Sequence, residues 1–221
     1  MNYLAGVQRL HRESGRSTAA PTSVVGANER HARLFDWYAD AWRNLQGERE
    51  WRWMRASLDV ALVVGQQTYT ATDLAATRFG RWRAEDFDYD VQAYVYGSQN
   101  AIWRLSYRQL DNFRQQWIHR PMGNSQPIEW TIDEADQLLL GPAPSEPYQL
   151  RIDYWNEPAE LALDADEPDM PARFHMMLVW RALQDVAMFD AAPEVLARAE
   201  KNYADLKDAL LRDQAWLPVM P

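Results

Sequence analysis

Asp164-Ala-Asp-Glu-Pro-Asp-Met-Pro-Ala-Arg-Phe-His175 is the stretch on which the fold turns. Pro168 and Pro171 cannot donate to a ladder, so they end any extended structure that comes before them. Behind them Met176, Val179, Trp180, Leu183, Val186 and Ala187 recur at helical spacing, which predicts a helix beginning near His175. Pro193 suits the first turn of a second helix, where a missing N–H costs nothing. Val195, Ala199, Tyr203, Leu206 and Leu210 then mark its apolar face. The short junction makes the two an antiparallel hairpin. Glu194 with Arg198, Lys201 with Asp205 and Asp208 with Arg212 are spaced to pair on its outer side, each contributing only about 0.2–0.5 kcal/mol.

Working outward, Asn2 is placed to cap a short helix carrying Tyr3, Val7 and Leu10, closed by Ser14-Gly15. A small, polar, aperiodic loop follows. Asn28 is placed to cap a longer helix with Leu34, Tyr38, Ala41 and Leu45 on one side, and Gly47 loosens its end. From Ser57 the period changes to two. Leu58, Val60, Leu62 and Val64 alternate with Ser57, Asp59 and Ala61, and Gly65-Gln66 supplies a turn. Further runs are Tyr89 to Val95, then Trp103, Leu105 and Tyr107. A short helix through Leu110, Phe113 and Trp117 interrupts them. Strands resume at residues 128–132, 138–140 and 148–154, with the stiff Gly141-Pro-Ala-Pro-Ser-Glu-Pro147 outside any ladder.

The linkers read as too short for parallel crossovers, so antiparallel hairpins are expected throughout. Neither helical end can hide its apolar stripe alone. The predicted class is therefore α+β: a helical bundle built from both chain ends, residues 1–54 and 160–215, with an inserted antiparallel β domain over 55–159. Residues 216–221 form an extended C-terminal tail. No internal repeat or low-complexity tract is visible.

Bulk composition narrows the function. A net charge of −9 argues against a protein that grips nucleic acid or an anionic membrane from outside, since both need Lys and Arg against phosphate. The absence of cysteine removes disulfides and thiolate metal sites, and fits assembly in a reducing cytoplasm. No signal peptide is visible and no apolar run approaches ~18 residues, so a soluble protein is expected.

Candidate chemistry is sparse. His11, His31, His119 and His175 are scattered singly, without a spacing that would hold a metal. His175 reads as a helix-start residue bonded to the turn before it. Asp164, Asp166, Glu167 and Asp169 offer carboxylates to a hard cation, but Pro168 interrupts the loop and the glycine of a calcium loop is missing. Acidic residues entering a helix are favoured by its dipole anyway. Glu85, Asp86, Asp88 and Asp90 include a possible acid pair for glycoside hydrolysis, against the simpler reading of a wet strand face. There is no glycine-rich phosphate cradle and no Gly-x-Ser-x-Gly elbow. No catalytic residue, metal or cofactor is predicted, and an enzyme is not expected.

The 11 tryptophans are the one excess that needs an account. Core burial uses most of them, and Trp beside Arg also anchors interfaces. Arg49, Arg52 and Arg55 around Trp51 and Trp53 could serve an interface or stack on a glycan. The tail Trp216-Leu-Pro-Val-Met-Pro221 is apolar and broken by proline. Trp216, Leu217, Val219 and Met220 are therefore candidate partner-binding residues.

A family resemblance rests on the order of several motifs: the Asp-rich turn, Met170-Pro-x-x-Phe-His175, Ala191-Ala-Pro-Glu194 with the later Tyr203, and Arg212-Asp-Gln214. Upstream lie Asn2-Tyr-Leu-x-x-Val-Gln-Arg-Leu10, Trp51-Arg-Trp-Met54, Gly65-Gln-Gln-x-Tyr69 and Leu140-Gly-Pro-x-Pro144. Over nearly its whole length the chain resembles the head-to-tail adaptor, connector or neck proteins of tailed bacteriophages. Pro168, Pro171, Phe174 and His175 are the structural motif of that resemblance.

What the resemblance implies is a structural virion protein at the neck, made in the bacterial host cytoplasm. Such adaptors form a homo-oligomeric ring of about twelve copies that joins the portal protein to a tail or nozzle protein. The ring extends the DNA channel, and DNA passes without sequence-specific binding or any membrane contact. The C-terminal segment of related adaptors is implied to meet the portal. The alternative from another class is a glycan-binding module of a phage tail protein, carried on strands with exposed Trp.

Overall fold

The computed structural model describes residues 1–15, 18–83, 91–95 (backbone only), 102–120 and 123–215. The class is mixed α+β. Five α-helices and eight strands lie among the described residues. The chain divides into two compact units, one formed by Met1–Trp53 together with the chain from Pro158, the other by Met54–Glu157.

In the first unit α1 (Tyr3–Glu13) and α2 (Glu29–Gly47) precede α4 (His175–Phe189) and α5 (Pro193–Gln214). The start signals work as the sequence predicts. Asn2 Oδ1 accepts from Ala5 N at 2.9 Å, and Asn28 Oδ1 accepts from His31 N at 2.9 Å. Gly15, at φ +69°, takes the left-handed conformation that ends α1, and Pro193 opens α5.

The helix α4 packs against α1, α2 and α5, so its buried surface is wider than the predicted stripe. Met177, Leu178 and Ala182 are buried along with Val179, Leu183, Val186 and Ala187, while Met176 and Trp180 are only half-buried. A helix enclosed on three sides has no single face for a period to report. The outer pairs of α5 also differ from expectation. Arg198 leaves Glu194 and reaches α1, donating to the Glu13 carbonyl at 2.8 Å and lying 3.4 Å from its carboxylate.

In the second unit β1 (Arg55–Ala61), β2 (Thr68–Tyr69), β3 (Phe79–Trp82), β4 (Val91–Val95), β5 (Ile102–Tyr107), β6 (Glu129–Ile132), β7 (Leu138–Gly141) and β8 (Tyr148–Asn156) run as neighbours β1-β8-β4-β5-β6-β7-β2, with β3 also beside β8. The register sets Leu58 against Ile152 and Val60 against Leu150. These inward positions feed a core of Leu62, Trp82, Leu105, Trp130, Leu138, Leu140, Leu150, Ile152 and Tyr154. Leu58 and Val60 are partly buried while Ser57, Asp59 and Ala61 are exposed, the alternation read from sequence.

Three expectations fail here. The strands are not all antiparallel, because β5 and β6 pair in parallel, Ser106 against Glu129 and Tyr107 against Trp130. The chain between them holds α3 (Leu110–Phe113) and a π-helical turn over Arg114–Ile118, which supplies the crossover that a parallel pair needs. Val64 is 52 % exposed because β1 stops at Ala61 and the chain turns at Gly65, φ +79°. Finally, the 141–147 segment does join pairing. Gly141 stands opposite Glu129, and Pro144 bridges Ser125.

Candidate functional site

The acidic turn is one place where sequence suggested chemistry, and in the structure two of its carboxylates, Asp164 and Asp166, hold backbone. Asp164 accepts from Ser23 Oγ at 2.9 Å and from Val24 N at 2.7 Å. Asp166 Oδ2 accepts from Ala162 N and Leu163 N, both at 2.7 Å, and these donors hold its carboxyl below the usual carboxylate range. The turn's carbonyls serve α1: Tyr3 N donates to Asp166 O at 2.7 Å, and Leu4 N to Asp164 O at 3.3 Å. Those are first-turn donors with no partner inside their own helix.

Pro168 and Phe174 are buried and Pro171 is half-buried, so the recognised motif lies largely inside the helical unit. His175 is 3 % exposed. Its Nε2 lies 2.9 Å from Met170 O, and because a carbonyl only accepts, Nε2 carries the proton. Nδ1 is thereby an acceptor and receives the Met1 nitrogen at 2.8 Å. Arg173, beside the motif, pairs with Asp213 near the end of α5 and lies 4.9 Å from the Phe174 ring.

A second tie was invisible in the sequence. Gln46 exchanges two hydrogen bonds with the backbone of Ala159, donating to its carbonyl at 3.0 Å and accepting from its N–H at 2.9 Å. Trp42 Nε1 donates to the same carbonyl at 2.7 Å. A glutamine on a helix carries no pattern that announces such a partner. Only its burial, 3 % exposed among charged neighbours in sequence, sets it apart.

The Trp–Arg cluster is packed rather than open. Trp51 is fully buried, stacks on Trp53 at 4.7 Å and 10°, and donates from Nε1 to Leu45 O at 2.6 Å. Arg49 covers the Trp51 ring at 5.4 Å, and Arg55 pairs with Asp153. Trp51, held by Trp53 and Arg49, is therefore not open to a ligand. Trp42, Trp82, Trp117, Trp130 and Trp155 are also buried, while Trp37, Trp103 and Trp180 are half-buried.

In the β unit, Glu129 gathers Arg108 and Trp117. Trp117 Nε1 donates to Oε2 at 2.7 Å, and Arg108 makes a two-point contact with both carboxylate oxygens. Burial opposes ionisation of Glu129, yet the bonds from Arg108 and Trp117 outweigh it and keep the pKa low. A polar pocket of about 690 Å³ lies alongside, lined by Arg108, Asn112, Gln115, Gln116, His119 and Arg120.

On the helical unit, a separate pocket of about 400 Å³ is lined by Glu29, Arg30, Arg33, Trp37, Phe189 and Asp190. Trp37 and Phe189 are 5.7 Å apart, and Arg33 stands 4.9 Å over the Phe189 ring. Phe189 is 59 % exposed and Met188 61 %.

Glu85, Asp86, Asp88 and Asp90, and the tail residues Trp216, Leu217, Val219 and Met220, lie outside the described residues. His11 meets Thr18 Oγ1 at 3.0 Å and the ring of His31 at 5.9 Å. Among the described residues no three His, Asp or Glu side chains gather as a metal ion would require, and no helix is long and apolar enough to cross a membrane.

Among the described residues the chain is mixed α+β, Asp164 and Asp166 anchor backbone, and Trp37 and Phe189 line a surface pocket. The family model described as SU10 adaptor protein matches residues 1–218, and the chain belongs to that family. Membership carries a structural phage role, that of an adaptor associated with portal and tail at the head–tail junction of the virion. No curated protein matches the chain.

Proposed function

We propose that this protein is the head-to-tail adaptor that forms a ring beneath the portal, extends the DNA channel and gives the tail or nozzle protein its platform. The observation that carries the reading is the family match over residues 1–218. In this reading residues 1–54 and 160–215 act as one helical bundle, and the inserted β domain, 55–159, is displayed as a docking surface. A ring of about twelve copies needs two different faces on each subunit, joined head to tail and closed by rotation. The net charge of −9 suits a conduit that DNA passes without sticking, because like charge repels the phosphate backbone.

Trp216, Leu217, Val219 and Met220 engage the portal or a neighbouring subunit, and the motif of Pro168, Pro171, Phe174 and His175 holds the helical unit in the form that presents them. The portal templates the ring by raising the local concentration of weakly associating copies. Cryo-EM of particles of the encoding phage tests the whole reading: density for this chain must form a closed ring between portal and tail. Heads that acquire tails normally with residues 216–221 deleted would remove the role of the tail segment, and a stable closed ring of the isolated protein in light scattering would remove the templating.

A further inference from the structure

We propose that the pocket between the start of α2 and the end of α4 receives residues 216–221 of a neighbouring copy, so that each subunit gives its tail to one neighbour and takes a tail from the other. This rests on the ring reading above and names the contact that holds the ring.

The pocket has the chemistry for that guest. Trp37 and Phe189 form its aromatic wall, Arg33 is stacked on Phe189, and Met188 beside it is exposed. Glu29, Asp190, Arg30 and Arg33 also line the pocket, two charges of each sign. A lining of balanced charge favours an uncharged guest, and Trp216-Leu-Pro-Val-Met-Pro221 has no charged side chain. Its bulk is aromatic and aliphatic, the kind that anchors in aromatic pockets beside an arginine. Pro218 and Pro221 are three apart, the spacing at which a polyproline II segment presents successive rings to an aromatic-lined groove.

Geometry favours a tail from another copy. The α4–α5 hairpin is antiparallel, and Arg173 at the start of α4 pairs with Asp213 at the end of α5. The described chain therefore ends, at Ala215, at the end of the hairpin opposite Phe189. The 15 residues of α4 separate those ends by about 22 Å at ~1.5 Å per residue. A fully extended chain covers at most ~3.6 Å per residue, so Trp216 and Leu217 stay within about 7 Å of Ala215. The two bulkiest anchors fall short of their own pocket by more than half the hairpin. The end of the described chain and the pocket thus lie at opposite ends of the α4–α5 hairpin, which suits a heterologous contact that propagates and closes by rotation.

The chain contains no cysteine, so Phe189→Cys and Leu217→Cys can be introduced without background. In phage particles carrying the double variant, mild oxidation should give a ladder of covalent multimers on denaturing gels, while either single variant stays monomeric, because disulfides need Cα atoms about 4.4–6.8 Å apart. As a second measurement, Phe189→Asp at this exposed position should leave the isolated chain folded, as its circular dichroism would show, and strip the adaptor from the particles. Variant adaptor that is present in particles but monomeric, closed on itself, or linked through position 217 to the portal overturns the inference and leaves the adaptor function standing. So does Phe189→Asp protein retained at the wild-type copy number. Wild-type particles that lack this chain at the neck would overturn the adaptor reading, and the tail exchange with it.

Discussion

Gly6 is where the helical unit has least room, and its replacement by alanine tests the packing of α1 on α2 directly. A Cβ at Gly6 would lie 2.4 Å from Tyr38 Cζ, 2.5 Å from its Oη and 2.7 Å from Cε2. Carbon atoms in contact stand about 3.5–4.0 Å apart, so the ring must withdraw by roughly 1 Å or the helices must part. Tyr38 is fully buried and has the Tyr3 ring 5.8 Å away, which leaves it nowhere to go. Overpacking of this kind costs ~1–3 kcal/mol, and the absence of slack argues for the upper end. Alanine returns about 1 kcal/mol of helix propensity, for a net loss of ~2 kcal/mol. At ~2–4 °C per kcal/mol for a chain of this size, Tm falls by ~4–8 °C. Far-UV circular dichroism against temperature measures it. Gly47→Ala at the end of α2, with no atom within 4 Å of the added Cβ, should instead gain ~0.5 kcal/mol. In a Tyr38→Ala background the Gly6→Ala loss should turn into a gain of ~1 kcal/mol from helix propensity alone, a coupling of ~3 kcal/mol. A Gly6→Ala chain as stable as wild type would refute the close approach.

The remaining expectations concern single polar groups. Tyr38 Oη is buried with no hydrogen-bond partner among the described residues, so Tyr38→Phe should raise the urea midpoint by an amount equivalent to ~1 kcal/mol, and a fall would contradict the orphaned hydroxyl. Asp164→Ala removes the acceptor of Ser23 Oγ and Val24 N. It should cost ~1–3 kcal/mol and speed amide exchange at Val24, which mass-resolved hydrogen exchange would show. Glu129 has a lowered folded pKa. Its stabilisation is therefore complete above its unfolded value, about 4.3, and is lost as pH falls through the folded one. Melting curves between pH 6 and roughly 3 should fall less steeply for Glu129→Gln than for wild type; identical slopes would show that the Arg108–Glu129–Trp117 cluster does not contribute.

Legibility in the sequence followed the range of the forces involved. Asn2, Asn28, Gly15 and Pro193 act within a turn of their own position, and a local grammar captures them. The alternation of Leu58 and Val60 with Ser57 and Asp59 was legible because β1 has one wet face. Val64 misled because alternation carries on in sequence past the point where pairing with β8 stops at Ala61. The parallel β5–β6 pair was missed because Leu110, Phe113 and Trp117 were read as an interruption and not as the crossover. Gln46 and Asp164 find partners 113 and 140 or more residues away, and no spacing rule reaches so far. The pocket lined by Trp37 and Phe189 was equally hidden. Nothing in the sequence sets Trp37 beside Phe189 and Arg33.

The position of α4 also dictates an order of folding. Both α1 and α2 bury their apolar faces on it, although it begins only at His175. Until that segment is synthesised, the faces that α1 and α2 turn to α4 are uncovered and only their smaller contact with each other remains, while most helical stability in proteins comes from tertiary packing of an apolar face. The β unit is contiguous over Met54–Glu157, and its longest pairing, β1 with β8, closes within that span. It can fold while the helical unit waits for its last third. A fragment of residues 54–157 should therefore melt cooperatively by itself, while residues 1–53 alone should show little helix by circular dichroism. Adding a 158–215 fragment should restore helicity, with a midpoint that rises with concentration as mass action requires. A folded 1–53 fragment would mean that α1 and α2 stabilise each other without α4, and the late-closing order would be lost.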